Sequence, residues 1–181
     1  MPTDETRQRH ERLIALLAPL HDRARATARR LCRSNADGDD LFHEAVLRAF
    51  DRLDDLREPE KFRAWFYAIL LSVHRARHRT SFWRRLLPFD DAGPDAPAPS
   101  DIDALEGHQR MSRALATLSP EAREAIVLFE IDGFSLDEIA SLQKQSLSAI
   151  KSRLVRARAR LRLHYERTEG APRPLPQEKP S

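Results

Sequence analysis

Apolar residues recur at three- and four-residue steps through most of this chain, the pattern of helices that each bury one stripe. Leu13, Leu16, Leu17, Leu20, Ala24, Ala28 and Leu31 predict a helix over 8–33. The polar run 34–37 interrupts it. Asp37 is the expected N-cap of the next helix, with Asp39 and Asp40 in a first turn where the helix dipole favours negative charge. Leu41, Phe42, Ala45, Val46, Ala49, Phe50 and Leu53 form its apolar stripe, and Asp40, His43, Glu44, Leu47, Arg48 and Asp51 its other face. Residues 54–60 read as a polar loop containing Pro59. A third helix over 60–82 presents Phe62, Trp65, Phe66, Ile69, Leu70 and Val73. Three stripes of this kind bury one another, which predicts a small helical unit over 8–85.

The period then stops. Residues 86–104 hold Pro88, Pro94, Pro97 and Pro99 and predict an extended linker. Helical spacing resumes with Met111, Leu115 and Leu118. Ser119 and Pro120 predict an N-cap followed by proline at the first helical position, where a missing N–H costs nothing. Glu121 and Glu124 fall near that start, Ile126, Val127, Phe129 and Ile131 give a buried face, and Asp132-Gly133 ends it. Ser135 and Glu138 have capping-box spacing, opening a short helix to about Leu142. Gln143, Lys144 and Gln145 form a turn. Ser146 caps a long helix with Leu147, Ile150, Leu154, Ala157 and Leu161 at steps of 3, 4, 3 and 4. The second unit is thus expected over 105–166, with a proline-rich disordered tail over 167–181. The expected class is all-α, two small helical domains joined by a flexible acidic linker.

Composition narrows the function. A chain of 181 residues holds one domain or two small ones. A single cysteine, Cys32, excludes a disulfide scaffold and a four-cysteine zinc site. No apolar run approaches the ~18 residues needed to cross a bilayer. The polar, acid-containing start is neither a signal nor a transit peptide, so a soluble cytoplasmic protein is expected, without membrane insertion.

The formal net charge of +3 hides strong segregation. Residues 1–85 hold 18 basic and 13 acidic side chains, 86–104 none basic and five acidic, and 105–181 13 basic and 10 acidic. Arg75, Arg77, Arg79, Arg84 and Arg85 form one acid-free block; Lys151, Arg153, Arg156, Arg158, Arg160 and Arg162 form another. Clustered cations on helices are the footprint of a polyanionic partner.

A short capped helix, a three-residue turn and a longer capped helix make a helix-turn-helix, whose second helix enters the major groove by its first turns. Lys151, Arg153, Arg156 and Arg160 form its basic face; Ser146, Ser148, Ala149, Ser152 and Arg153 would stand nearest base edges, and Arg156, Arg158 and Arg160 suit phosphates. Catalysis finds no support. The chain has no glycine-rich phosphate loop and no His-Glu zinc motif, and no catalytic residue, metal, cofactor or small-molecule substrate is expected. His74 and His78 are four apart but lack a third ligand and read as solvated or phosphate-facing.

In order and motif the chain resembles the extracytoplasmic-function sigma factors of bacterial RNA polymerase, which keep only regions 2 and 4. The likeness rests on DGDDLFHEAVLRAF (37–50) and FRAWFYAIL (62–70), then on LATLSPEAREAIVLFEIDGFSLDEIASL (115–142) and AIKSRLVRARARLR (149–162). The resemblance implies that Asp40, Glu44, Leu47 and Arg48 face the β′ coiled coil of core RNA polymerase, with a further contact to the β flap. It implies −10 promoter contacts from Arg57, Lys61, Ser72, Arg75, Arg77 and Arg79, and −35 contacts from the helix-turn-helix. Trp65 and Phe66 read as core in that family's aromatic motif rather than as strand-separating residues. It also implies a separate anti-sigma factor as partner. Family members usually carry Asn at the position of Ser72, often Asp at Ala76, and Gly at Lys144. These departures raise a second reading, a sigma-like adaptor that sequesters an anti-sigma factor without initiating transcription. A third is a stand-alone helix-turn-helix regulator, although no dimerisation segment follows 165.

Overall fold

The computed structural model describes residues 4–32, 34–86 and 102–169, which form helices and turns without a strand. The linker residues 87–101 and the tail 170–181 lie outside the described residues.

The expected helix over 8–33 is two helices, α1 (Asp4–Leu17) and α2 (His21–Leu31), parted by a 3₁₀ turn, Ala18–Leu20. Pro19 is the cause: it lacks an N–H, and its ring clashes with the preceding turn. The cap of α3 (Asn35–Asp51) also differs from expectation. Ser34 is the N-cap, its Oγ accepting from the Asp37 N–H at 3.0 Å, so Asp37 lies inside the first turn. The N-cap goes to the residue whose backbone is extended, and Ser34 has φ −124° and ψ 158°.

Small residues let α2 and α3 approach closely. Ala24, Ala28, Ala45 and Ala49 are fully buried. A Cβ on Gly38 would stand 2.4 Å from Arg29 Cα, closer than real carbon atoms come. Asp39 completes the joint, accepting paired hydrogen bonds of 2.7–2.9 Å from both Arg25 and Arg29. Those guanidiniums, Arg29 first, hold its carboxyl far below the usual carboxylate range.

Two 3₁₀ turns, Leu53–Asp55 and Pro59–Lys61, fill the predicted loop, and Leu56 is buried beneath it. Helix α4 (Phe62–Leu86) then lays Phe62, Phe66, Tyr67, Ile69, Leu70 and Val73 into the core. Trp65 packs at the core edge beside Phe62, ring centroids 5.7 Å apart.

In the second half, α5 (Ile102–Ala116) precedes α6 (Pro120–Ile126), whose N-cap is Ser119. Met111 is 40% exposed, although its spacing had placed it with the core positions. Helix α6 widens into a π-helical turn, Val127–Ile131, ended by Gly133 at φ +66°. Helix α7 (Leu136–Gln143) opens with both hydrogen bonds of the Ser135–Glu138 capping box. Helix α8 (Leu147–Glu169) buries Ile150, Leu154 and Ala157 against α6 and α7. It runs through residues 167–169, which the sequence assigns to a disordered tail.

Lys144 closes α7 in the left-handed region, φ 52° and ψ 47°. Such a conformation costs an L-residue ~1–2 kcal/mol, and glycine gives back ~0.5–1 kcal/mol in chain entropy. Lys144→Gly is therefore expected to raise stability by up to about 1 kcal/mol in urea unfolding. An unchanged or lower midpoint would show that the turn is unstrained.

The two halves share one continuous apolar core. Helix α4 packs on α7, and α2 packs on α6 and the π-helical turn.

Candidate nucleic-acid interface

The N-terminal turns of α8 present Ser146, Ser148 and Ser152 to solvent, with Ala149 partly covered. Ser146 Oγ accepts from the Ala149 N–H at 3.2 Å and lies 3.1 Å from Ser148 Oγ, so the cap leaves hydroxyls at the surface. Lys151, Arg156 and Arg160 are exposed, and 156 and 160, four apart, share a face. Arg158 is anchored instead: it pairs with Glu130 at 2.6 Å and lies 5.4 Å from the Phe129 ring centroid. Arg153 is half-buried, with Nη1 donating to Gln143 Oε1 on α7.

On α4 the cations divide. Arg79 is exposed, and Ser72 is exposed at a groove of about 510 Å³ between α4 and α7. Ala64 and Ala68 lie on the same wall, facing Ser141, Leu142 and Lys144. Arg75 and Arg77 are occupied. Arg77 donates to Glu44 at 2.8 Å and to the carbonyl oxygens of Asp37 and Asp40. Arg75 donates through Nη2 and Nε to Glu124 on α6, at 2.7 and 3.1 Å. Arg57 and Lys61 are exposed beyond the start of α4, and Lys61 pairs with Glu58 at 2.8 Å.

Helix α3 turns Asp40 outward and leaves Leu47 66% exposed, an apolar side chain set among charges. Glu44 and Arg48 pair along the helix at 2.6 Å, while Glu44 also receives Arg77.

Polar residues buried at the contact between the halves take roles that the sequence reading did not assign them. Glu124, expected near a helix start, is fully buried. Burial pushes its carboxyl up, but His74 and Arg75 outweigh that and leave it below its ordinary value. His74, read from sequence as solvated or phosphate-facing, is 2% exposed, its Nδ1 2.9 Å from Glu124 Oε1. Asp132 is 1% exposed and takes the Thr27 hydroxyl, whose oxygen lies 2.8 and 2.9 Å from the two carboxylate oxygens. Burial raises its carboxyl above the usual range despite Thr27 and Tyr67. Tyr67 is fully buried against Phe134, ring centroids 4.8 Å apart, with the Arg63 guanidinium 3.9 Å from the Phe134 centroid. One signal was available: Glu124 shares a helical phase with Val127, Leu128 and Ile131, so an acid stands on an apolar stripe.

Cys32 is mostly covered, and burial, then Asp37, pushes its thiol up to about 12, which leaves it a poor nucleophile. Among the described residues no cluster of three His, Cys, Asp or Glu side chains could hold a metal, and no helix is long and apolar enough to cross a membrane.

Comparison with known proteins agrees with this geometry. The sigma-70 region 2 model matches residues 16–84, and the sigma-70 region 4 model matches residues 108–161. The chain is 32% identical over 147 residues to the ECF RNA polymerase sigma factor SigE of Mycolicibacterium smegmatis, across 78% of this chain and 56% of SigE. It is 32% identical over 131 residues to the ECF RNA polymerase sigma factor EcfG of Rhodopseudomonas palustris, across 70% of this chain and 71% of EcfG. The fold is similar to the sigma factor RpoE of Bartonella quintana, solved with its anti-sigma factor NepR. There the TM-score is 0.70 and the identity 27%, over 83% of this chain and 94% of RpoE. With both region models placed on the two helical halves, the chain belongs to the sigma-70 family, among the extracytoplasmic-function sigma factors.

Proposed function

We propose that this chain is an alternative sigma factor that binds core RNA polymerase, directs it to a set of promoters and helps to open the DNA. The observation that carries this reading is a capped helix-turn-helix with free Lys151, Arg156 and Arg160 in one chain with a docking helix that shows Leu47 to solvent. The unit 8–85 holds polymerase through Asp40, Glu44, Leu47 and Arg48 and reaches the −10 element through Arg57, Lys61, Ser72, Arg75, Arg77 and Arg79. The unit 105–166 reads the −35 element. Ser146, Ser148, Ala149, Ser152 and Arg153 face base edges, where a good bidentate arginine contact discriminates by ~1–3 kcal/mol. Lys151, Arg156 and Arg160 contact phosphates. The segment between α4 and α5, shorter than the 86–104 expected because those helices reach Leu86 and start at Ile102, tethers the units. The partners are the β′ coiled coil and β flap of polymerase, promoter DNA, and an anti-sigma factor of the kind seen with RpoE; the site of action is the cytoplasm.

The deciding experiment is run-off transcription on genomic promoters with purified chain and core polymerase; output no greater than core alone overturns the reading. Two substitutions separate its parts. Leu47→Asp places a charge on an exposed apolar contact, and core affinity is expected to fall at least tenfold, about 1.4 kcal/mol, with folding unchanged. Arg156→Ala is expected to weaken holoenzyme binding equally on all promoters and to lower the salt-dependence slope by about 1. An unchanged slope would remove Arg156 from the phosphate contacts.

A further inference from the structure

Glu124 has no solvent exposure, yet it is the most heavily bonded carboxylate between the two halves. His74 Nδ1 donates to Oε1 at 2.9 Å, and Arg75 donates through Nη2 and Nε at 2.7 and 3.1 Å. Both come from α4. From its own half Glu124 receives Gln143 Nε2 at 3.2 Å.

The orientation of the Gln143 amide follows from its neighbours. Glu124 and the Glu121 carbonyl, 3.0 Å away, can only accept, so the NH₂ group faces them. Arg153 can only donate, so the amide oxygen faces it. Turning the amide over would break all three contacts. A single polar chain therefore runs from Arg75 on α4 through Glu124 and Gln143 to Arg153 on α8. These are an arginine of the helix assigned to the −10 element and an arginine of the recognition helix.

A guanidinium grips a carboxylate with the same paired N–H groups that it turns on phosphate or on a guanine edge. Arg75 cannot grip Glu124 and DNA with the same donors at once. Burial sharpens the competition, because Glu124 has no water with which to replace its partners while the halves are closed.

We propose that Glu124 is an internal competitor for promoter DNA. Its one carboxylate occupies Arg75 directly and Arg153 through Gln143, so both DNA-facing helices are held in the closed chain and released together when the halves part. The proposal rests on the reading of α4 and α8 as DNA-facing. A second, separate contact holds the same closure: Thr27 on α2 bonds Asp132, and the Arg63 guanidinium donates to the Asp132 carbonyl. When a binding-competent form is only a fraction of the population, apparent affinity falls by that fraction. A closed form outnumbering the open one about ten to one thus weakens DNA binding about tenfold.

The test uses the full chain with two variants, Glu124→Gln in the first contact and Thr27→Val in the second. Each is checked for folding by circular dichroism. Amide exchange across 73–79 and 139–143 reports opening, and binding to a cognate promoter fragment is measured for the free chain and for holoenzyme. The expected result is faster exchange in both segments and free-chain binding that is stronger by up to about tenfold. Should Glu124→Gln fail to fold, Thr27→Val carries the same expectation. Faster exchange with unchanged DNA affinity, or no change in either, overturns the competition while leaving the DNA reading intact. If wild-type holoenzyme itself fails to footprint any promoter, the DNA reading falls and the proposal falls with it.

Discussion

Gly38→Ala is expected to unfold the amino-terminal half or leave it marginally stable. The added methyl would lie 2.4 Å from Arg29 Cα and 2.7 Å from Arg29 N. Backbone cannot swing aside as a side-chain tip can, so α2 and α3 must part. Overpacking of a core costs ~1–3 kcal/mol when side chains alone adjust. With backbone in the way the loss should reach at least about 3 kcal/mol, a large share of a domain's ~5–15 kcal/mol. Separation would also pull Asp39 away from Arg25 and Arg29, which reach it across the same joint. The loss should read out as a lower urea midpoint and as failure to bind core polymerase, because α3 carries the proposed docking face. Gly107→Ala is the control. Nothing lies within 4 Å of a Cβ there, and alanine in a helix is favoured over glycine by ~1 kcal/mol. A Gly38→Ala protein as stable as the Gly107→Ala protein would refute the close packing of α2 on α3.

Acid is expected to have the second largest effect. Asp39 and Glu124 both lie below their ordinary values in the folded chain, so the unfolded chain binds their protons first as pH falls. Their contribution is therefore complete above about pH 5 and is lost as pH drops through 4 toward the depressed native values. Each lost proton difference gives a slope of up to about 1.4 kcal/mol per pH unit. Asp132 works in the opposite direction. Its carboxyl is raised by burial, so its ionisation costs the folded state something at neutral pH, and acid relieves that cost. Two depressed groups against one raised group leave net destabilisation in acid. Asp39→Asn should flatten the dependence of stability on pH between 5 and 3. An identical slope in the variant would show that the Arg25–Asp39–Arg29 joint does not carry the effect.

The local elements were legible because their causes lie within a few residues of one another. Ser135 and Glu138 predict a capping box, and both of its hydrogen bonds form. Ser119 before Pro120 predicts a helix start, and the Ser119 side chain caps it. The 3-4-3-4 spacing of α8 puts Ile150, Leu154 and Ala157 in the core. Where sequence reasoning went astray locally, two nearby signals competed. Leu16, Leu17 and Leu20 keep the helical period across Pro19, but the missing N–H there breaks the helix into two. Asp37 and Ser34 are both good caps three residues apart, and backbone conformation decided for Ser34. Likewise, Lys144 at a turn position suited to glycine was visible in the sequence; its left-handed backbone was not.

By itself the amino-acid order determined the all-helical class, the place of the helix-turn-helix and the exposed cations of α8, all of which follow from spacing along one helix. Tertiary structure alone decided the fate of the remaining charges. His74, Arg75, Glu124 and Gln143 lie on three helices up to 69 positions apart, and Thr27 and Asp132 are separated by 105. Whether such a side chain meets water, DNA or a buried counter-charge depends on which helix face lands opposite it. No periodicity within one helix records that, because the energy of a buried ion pair belongs to both partners at once.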